Sequence, residues 1–311
     1  MIEIIIQALM LFASLAVLAT ASFFAIKYIE DFMEITRLSE VATGFVILAI
    51  MTCMPEITVA VFSVQHGTAG ISIGTVLGSH LFNIGIVVGL LAAFGSLRKC
   101  GTEALVELTD LLFLASIIPL LLVAFKAASP IVGILLITVF ALSFYRMSKK
   151  RHPPTFDYIK EGHVERKKPI IILATILVAV VFVVLSARTA ILSATEIIKL
   201  VGISQSEIGA KIFAVGTSLP EFAFGLVALK RGRVHLALGD AVGANLTTIT
   251  LVLGLVLLFA PSAIEQMMFT EILIFVLIMN IILWRYLTKG GVTQFGGIIL
   301  ITVYIVFQAI F

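Results

Sequence analysis

Charge is scarce in this chain: only 13% of its 311 residues are Asp, Glu, Lys or Arg, about half the share of an ordinary soluble domain. That scarcity excludes a soluble module with one hidden core. Cysteine is nearly absent too. Cys53 lies inside an apolar run and Cys100 in a short basic loop, so no disulfide framework is expected and the redox compartment stays open. Histidine gives no zinc spacing, because His66, His152, His163 and His235 lie in or beside loops. No nucleotide-binding glycine loop occurs, and the alternating ten-residue pattern of an outer-membrane barrel is missing. The first apolar run follows Glu3 rather than basic residues, the pattern of a retained helix and not of a cleaved signal.

What fills the chain is apolar, 60% of it. Runs of roughly 20 residues, the length that crosses the hydrocarbon layer as helix, fall at about 3–25, 41–64, 71–94, 104–125, 129–147, 168–187, 206–229, 236–259, 267–286 and 293–311. The pattern predicts an all-α integral membrane protein of ten transmembrane helices, five before and five after the only long polar segment. That segment, 148–167, carries Pro153, Pro154 and Gly162 among its charges and reads as a linker between units at 1–147 and 168–311. With the linker in the cytoplasm, every basic residue except Lys126, Arg188, Lys199 and Lys211 falls on its side. The positive-inside rule then sets both termini outside. The expected setting is the cell membrane, with the lipid bilayer as partner. No nucleic-acid partner is expected, because the basic clusters are short and abut apolar runs.

The second and seventh runs carry the same interruption 165 residues apart, Ala49-Ile50-Met51-Thr52-Cys53-Met54-Pro55-Glu56 and Ala214-Val215-Gly216-Thr217-Ser218-Leu219-Pro220-Glu221. The offset also matches Gly74 with Gly239, Gly78 with Gly243, Leu81 with Leu246, Val87 with Val252 and Gly89 with Gly254, without a gap. The halves therefore read as a duplication. Five spans per copy is an odd number, so the second copy enters the membrane from the opposite side. Inverted repeats with broken helices mark transporters, with the substrate site between the halves.

A proline and a carboxylate inside a span are each costly, and both occur twice in register. Thr52 and Glu56, four apart, share a helix face, while Pro55 frees a carbonyl near Ala49 to Met51. Carboxylate, hydroxyl and freed carbonyl make a hard oxygen cage, repeated at Thr217, Ser218 and Glu221. Oxygen-only ligands favour calcium or sodium over soft metals. Two carboxylates balance one divalent ion, or about two monovalent ions or protons. The bland alternative is a pair of glutamates that only close the helix break. The third and eighth runs add a stripe at four-residue spacing, Thr75, Ser79 and Asn83 on one and Asp240, Ala244 and Thr248 on the other. Facing the glutamates it would complete a coordination shell; the alternative is hydroxyls bonded back to their own helix.

Both blocks resemble the alpha-repeats of the calcium/cation antiporter superfamily, particularly its prokaryotic sodium/calcium exchanger branch. Gly216 to Glu221 is an intact GTSLPE motif, and Gly78-Ser79 with Phe82-Asn83-Ile84-Gly85 is close to GSNxxNIG. The resemblance implies calcium at Glu56, Glu221, Thr52 and Thr217, with Ser79, Ser218 and Asn83 nearby, and sodium on serine hydroxyls and the same glutamates. It also implies long first and sixth spans sliding across a core of the other eight. Departures are Met51 and Cys53 for glycine and serine, Ala244 for serine, and Thr248 where Asn or Asp is frequent. Cys53 and Ala244 remove hard oxygens from sodium positions. Asp240 adds a carboxylate where asparagine is usual, two helical turns or about 12 Å from Thr248; it is kept among the candidate cation residues and read as lining an entry path, with a shift of the charge balance toward a proton-linked or altered-stoichiometry cycle as the alternative. His80 is read as a packed histidine bonded to a neighbouring helix, with a titrating role as the alternative.

The expected function is a secondary antiporter exchanging calcium for sodium by alternating access, with calcium/proton exchange as the alternative. No cofactor is expected; calcium and sodium are cargo, protons being the rival counter-ion. An enzyme is not expected, since intramembrane acid proteases use aspartates and the acids here are glutamates beside proline.

Overall fold

A computed structural model describes residues 2–33, 45, 49, 52–94, 97, 100–125, 130–149, 169–230, 232–261 and 266–311. Met51 and almost all of the polar linker lie outside the described residues, as does most of the first half of the second span. The described chain is helical, with one isolated antiparallel bridge between Leu97 and Val292. Its helices are α1 (Ile2–Met33), α2 (Met54–Gln65), α3 (Ala69–Phe94), α4 (Glu103–Ala124), α5 (Pro130–Ser148), α6 (Pro169–Val201), α7 (Gln205–Lys230), α8 (Val234–Phe259), α9 (Gln266–Thr288) and α10 (Gln294–Ile310). Among the described residues eight helices are long and apolar enough to cross a membrane; α2 at 12 residues and α10 at 17 are shorter.

Local chemistry marks the helix starts. Thr102 accepts from the Leu105 N–H at 3.3 Å before α4, Ser204 from Glu207 at 3.0 Å in α7, and Thr293 from Gly296 at 3.0 Å in α10, each satisfying an otherwise orphaned first-turn donor. Sequence reading ends the sixth span near Arg188, but α6 runs on to Val201. The reason is amphipathic: Ala187, Ala190, Ile191, Ala194 and Ile197 form a buried stripe at helical spacing, so the charges that end the apolar run sit on the other face.

At 32 and 33 residues, α1 and α6 are the longest helices and pack against each other. Leu11, Leu15 and Leu18 of α1 join the α6 stripe in a small core of their own, touching Ile71, Ile208 and Phe213 of α3 and α7. Their outer faces present Leu9, Phe12, Val181 and Leu185, as lipid contact requires. The remaining helices share a separate, larger core.

Lipid tails are as apolar as leucine, so helix association within a membrane rests on close fit. A Cβ added at Gly74 of α3 would sit 2.1 Å from the Ser206 carbonyl oxygen of α7, and one at Gly209 of α7 equally close to the Ile71 carbonyl oxygen of α3. Gly133 of α5 packs on Gly254 of α8, and Gly89 of α3 on Gly297 of α10; Gly89 and Gly254 are 165 apart. The offset reaches the backbone too, since π-helical stretches open at Asn83 in α3 and at Thr248 in α8. The α3–α7 contact, with α2 packed on α3 and α8 packed on α7, brings these four helices together around the two proline breaks.

Candidate cation site

At the two breaks the chain adopts one conformation twice. Cys53, with φ −77° and ψ 1°, precedes Met54 and Pro55; Ser218, with φ −92° and ψ 5°, precedes Leu219 and Pro220. The helix nearly continues across each, with Cys53 N–H to Ala49 O at 3.2 Å and Ser218 N–H to Ala214 O at 3.2 Å. Ala49 O also accepts from the Thr52 hydroxyl at 3.3 Å. The carbonyl released by Pro55 is therefore not that of Ala49; opposite Pro220, helical register gives that of Gly216.

One residue past each proline, Glu56 and Glu221 are almost wholly buried, and none of their four carboxylate oxygens accepts a hydrogen bond from protein. Each faces the other copy's threonine, Glu56 beside Thr217 and Glu221 beside Thr52. Thr217 Oγ1 and Ser218 Oγ are likewise buried without a partner. Buried carboxylates left this way are among the most costly groups a fold can hold unless a cation joins them.

Asp240 belongs to this group. It is buried, its Oδ1 lies 3.3 Å from Thr52 Oγ1, where it competes with Ala49 O for the one hydroxyl proton, and it lies within electrostatic reach of Glu221 and Cys53. That placement puts the Asp240 carboxylate beside Thr52, which lies one helical turn before Glu56.

The polar stripe divides in two. Thr75 donates to Ile71 O at 2.7 Å, Ser79 to Val76 O at 3.1 Å and Thr248 to Asn245 O at 3.1 Å. These hydroxyls are bonded back to their own helices, the alternative set against the shell; each keeps lone pairs because it spends only its proton. Asn83 donates through Nδ2 to Asn245 Oδ1 at 3.1 Å and keeps a buried Oδ1 without a partner. His80 is fully buried with Nε2 2.8 Å from Asn280 Oδ1, the packed-histidine arrangement. Sequence reading missed Asn245, Asn280 and Ser116, which hold this polar layer together. An asparagine between Met279 and Ile281, deep in an apolar run, was the available signal for the second.

Among the described residues no three His, Cys, Asp or Glu side chains form a ready-made metal centre. Carboxylate, hydroxyl and amide oxygens are what remain, and they suit a hard cation. The sequence profile of a family described as sodium/calcium exchanger protein matches residues 6–149 and 171–311. Sodium/calcium exchanger MaX1 of Methanosarcina acetivorans is 25% identical over 99% of both chains. The membrane protein MJ0091 of Methanocaldococcus jannaschii is 27% identical over 87% of this chain and 86% of its own. A solved structure of the sodium-calcium exchanger NCX_Mj superposes with a TM-score of 0.70 at 25% identity, covering 98% of this chain and 99% of that one.

Proposed function

The chain belongs to the sodium/calcium exchanger protein family, and from that membership we propose that it exchanges calcium for sodium across the membrane by alternating access. It is a multi-pass membrane transporter, not an enzyme. Calcium is held by Glu56 and Glu221 with Thr52 and Thr217; Ser79, Asn83, Ser218, Thr248 and Asp240 supply the surrounding oxygens, some of them to sodium. One site is thus visited by both ions in turn, which is the coupling an antiporter needs: one divalent ion or about two monovalent ions neutralise the glutamate pair. The four unpartnered carboxylate oxygens at the duplicated breaks carry this reading.

The long α1–α6 pair, with its own small core, is the element that slides over the rest to open the site to either side. We take 1–147 and 168–311 as two inverted five-helix units, with both termini outside and the linker 148–167 in the cytoplasm. Purified protein in proteoliposomes tests the function directly. Calcium uptake should follow an imposed sodium gradient and ignore a pH gradient; uptake driven by pH alone would replace sodium with protons as the counter-ion.

A further inference from the structure

Where α9 turns back into α10, an open groove of about 380 Å³ lies between the two helices. Its walls are Ile281, Ile282, Arg285, Tyr286 and Lys289, with Ile299 of α10 opposite. The spacing of the first five puts them on one helix face. Polarity is graded along that face. Arg285 and Lys289 sit at the end of the span, whereas Ile282 and Ile299 lie roughly 8–9 Å further into the apolar layer along their helices.

The corner is built to keep the groove in shape. Tyr286 lays its ring over Gly296 of α10, where an added Cβ would meet it at 2.6 Å. The turn beyond α9 uses positive φ at Gly290 and Gly291. It is pinned by the loop before α4, since Gly101 N–H donates to Gly290 O at 3.0 Å and Leu97 bridges Val292. Arg285 and Lys289 are exposed, and among the described residues no carboxylate pairs with either. The Asp110 carboxylate of α4 accepts from Trp284 Nε1 at 2.7 Å and does not line the groove.

We propose that this groove binds an anionic glycerophospholipid, its phosphate between Arg285 and Lys289 and an acyl chain along Ile282 and Ile299. A guanidinium grips two phosphate oxygens at once and an ammonium adds a point charge, while both stems lie on apolar surface and let the heads reach the interface. A zwitterionic lipid would set its own ammonium against two cations. A free phosphate would leave the isoleucine walls unfilled, so cations and walls together select a whole lipid. With the linker in the cytoplasm, this end of α9 faces the leaflet where anionic headgroups collect and basic pockets between spans hold them. The site is separate from Glu56 and Glu221 and does not depend on which ions they carry.

The chain supplies its own reporter. Trp284 is its only tryptophan, stands next to Arg285, and is held by Asp110 and by stacking on Phe113. Purified protein in phosphatidylcholine bilayers with rising fractions of phosphatidylglycerol brominated on its acyl chains should lose Trp284 fluorescence well ahead of random mixing. Exchanging the bromine label to phosphatidylcholine should give the mirror result. Arg285→Gln and Lys289→Gln should each lower the preference for phosphatidylglycerol about fivefold, and either one carries the test if the double variant does not fold. Ile299→Phe, which fills the groove and keeps both cations, should lower it as well. Arg146→Gln with Lys149→Gln, which removes as much charge at the end of α5, should leave it unchanged. Random mixing around the wild type, or a preference that survives the loss of Arg285 and Lys289, would overturn the site. An equal loss in the Arg146 and Lys149 variant would reduce it to diffuse surface charge. Full preference in Ile299→Phe, or displacement of the lipid by inorganic phosphate at constant ionic strength, would show that the groove holds no acyl chain.

Discussion

Cys53 and Ala244, 191 positions apart, touch: the thiol donates to the alanine carbonyl at 3.5 Å. The two departures that remove hard oxygens from the exchanger pattern, one in each half, thus lie against each other. The losses form one local change, a patch of the site made softer and less oxygen-rich, flanked by Asp240 one helical turn before Ala244.

Restoring oxygen at that patch should therefore favour sodium. Cys53→Ser with Ala244→Ser is expected to lower half-saturating sodium about fivefold, the equivalent of ~1 kcal/mol. Each single variant should fall short of half that gain in free energy, since the hydroxyls would share one ion. Sodium titrations of calcium exchange measure it; equal sodium dependence in the double variant and the wild type would show that this patch is not a sodium position.

The glutamates should be needed for transport and dispensable for folding. Glu56→Gln or Glu221→Gln is expected to bring calcium uptake to background while the unfolding temperature holds or rises, because a buried charge without a protein partner is removed at constant shape. A variant that still exchanges calcium normally would exclude its carboxylate from the site. A collapse of stability would show that the carboxylates serve the fold.

The broad architecture was legible because membrane spans announce themselves by length and apolarity, and the duplicated Pro-Glu break by its cost in lipid. The length of the sixth helix was implied by the family resemblance but not legible in its apolar run, because its last turns are amphipathic and charge masks the buried stripe from Ala187 to Ile197. Asp240 was seen but its neighbour was not: helical spacing gives its face, whereas its contact with Thr52 joins residues 188 apart and follows only from how the two breaks' surroundings meet. The back-bonding of Ser79 and Thr248 escaped for a related reason. A hydroxyl four residues from the next looks the same in sequence whether it turns to its own carbonyl or to a neighbour.

Removing only the charge of Asp240 separates two roles. Asp240→Asn keeps an oxygen for Thr52, so the packing should survive, but a negative charge near the ion is lost. Equilibrium calcium affinity is expected to fall about tenfold, ~1.4 kcal/mol, a modest Coulomb contribution at the effective dielectric of a protein site. Isothermal titration with calcium reads this without turnover. A residue that merely lined an access path would slow exchange and leave the equilibrium affinity intact.

The meeting of α3 and α7 leaves no room for a side chain at Gly74, whose added Cβ would lie 2.1 Å from one carbonyl oxygen and 2.9 Å from the Ala210 nitrogen. Backbone cannot swing aside as a flexible side chain can, so Gly74→Ala must push the helices apart. The cost is expected to be about 1–3 kcal/mol or more, read as a lower unfolding temperature in detergent. Because α3 carries Ser79 and Asn83 about one and a half and two and a half turns further on, the displacement should also raise half-saturating calcium. Gly67 offers the contrast, with nothing within 4 Å of an added Cβ but φ at +69°. Gly67→Ala should lose stability through backbone strain alone, at roughly 1 kcal/mol, and leave the ion dependence unchanged. If the two variants behaved alike in both measurements, the tight α3–α7 contact would not be what sets the site's shape.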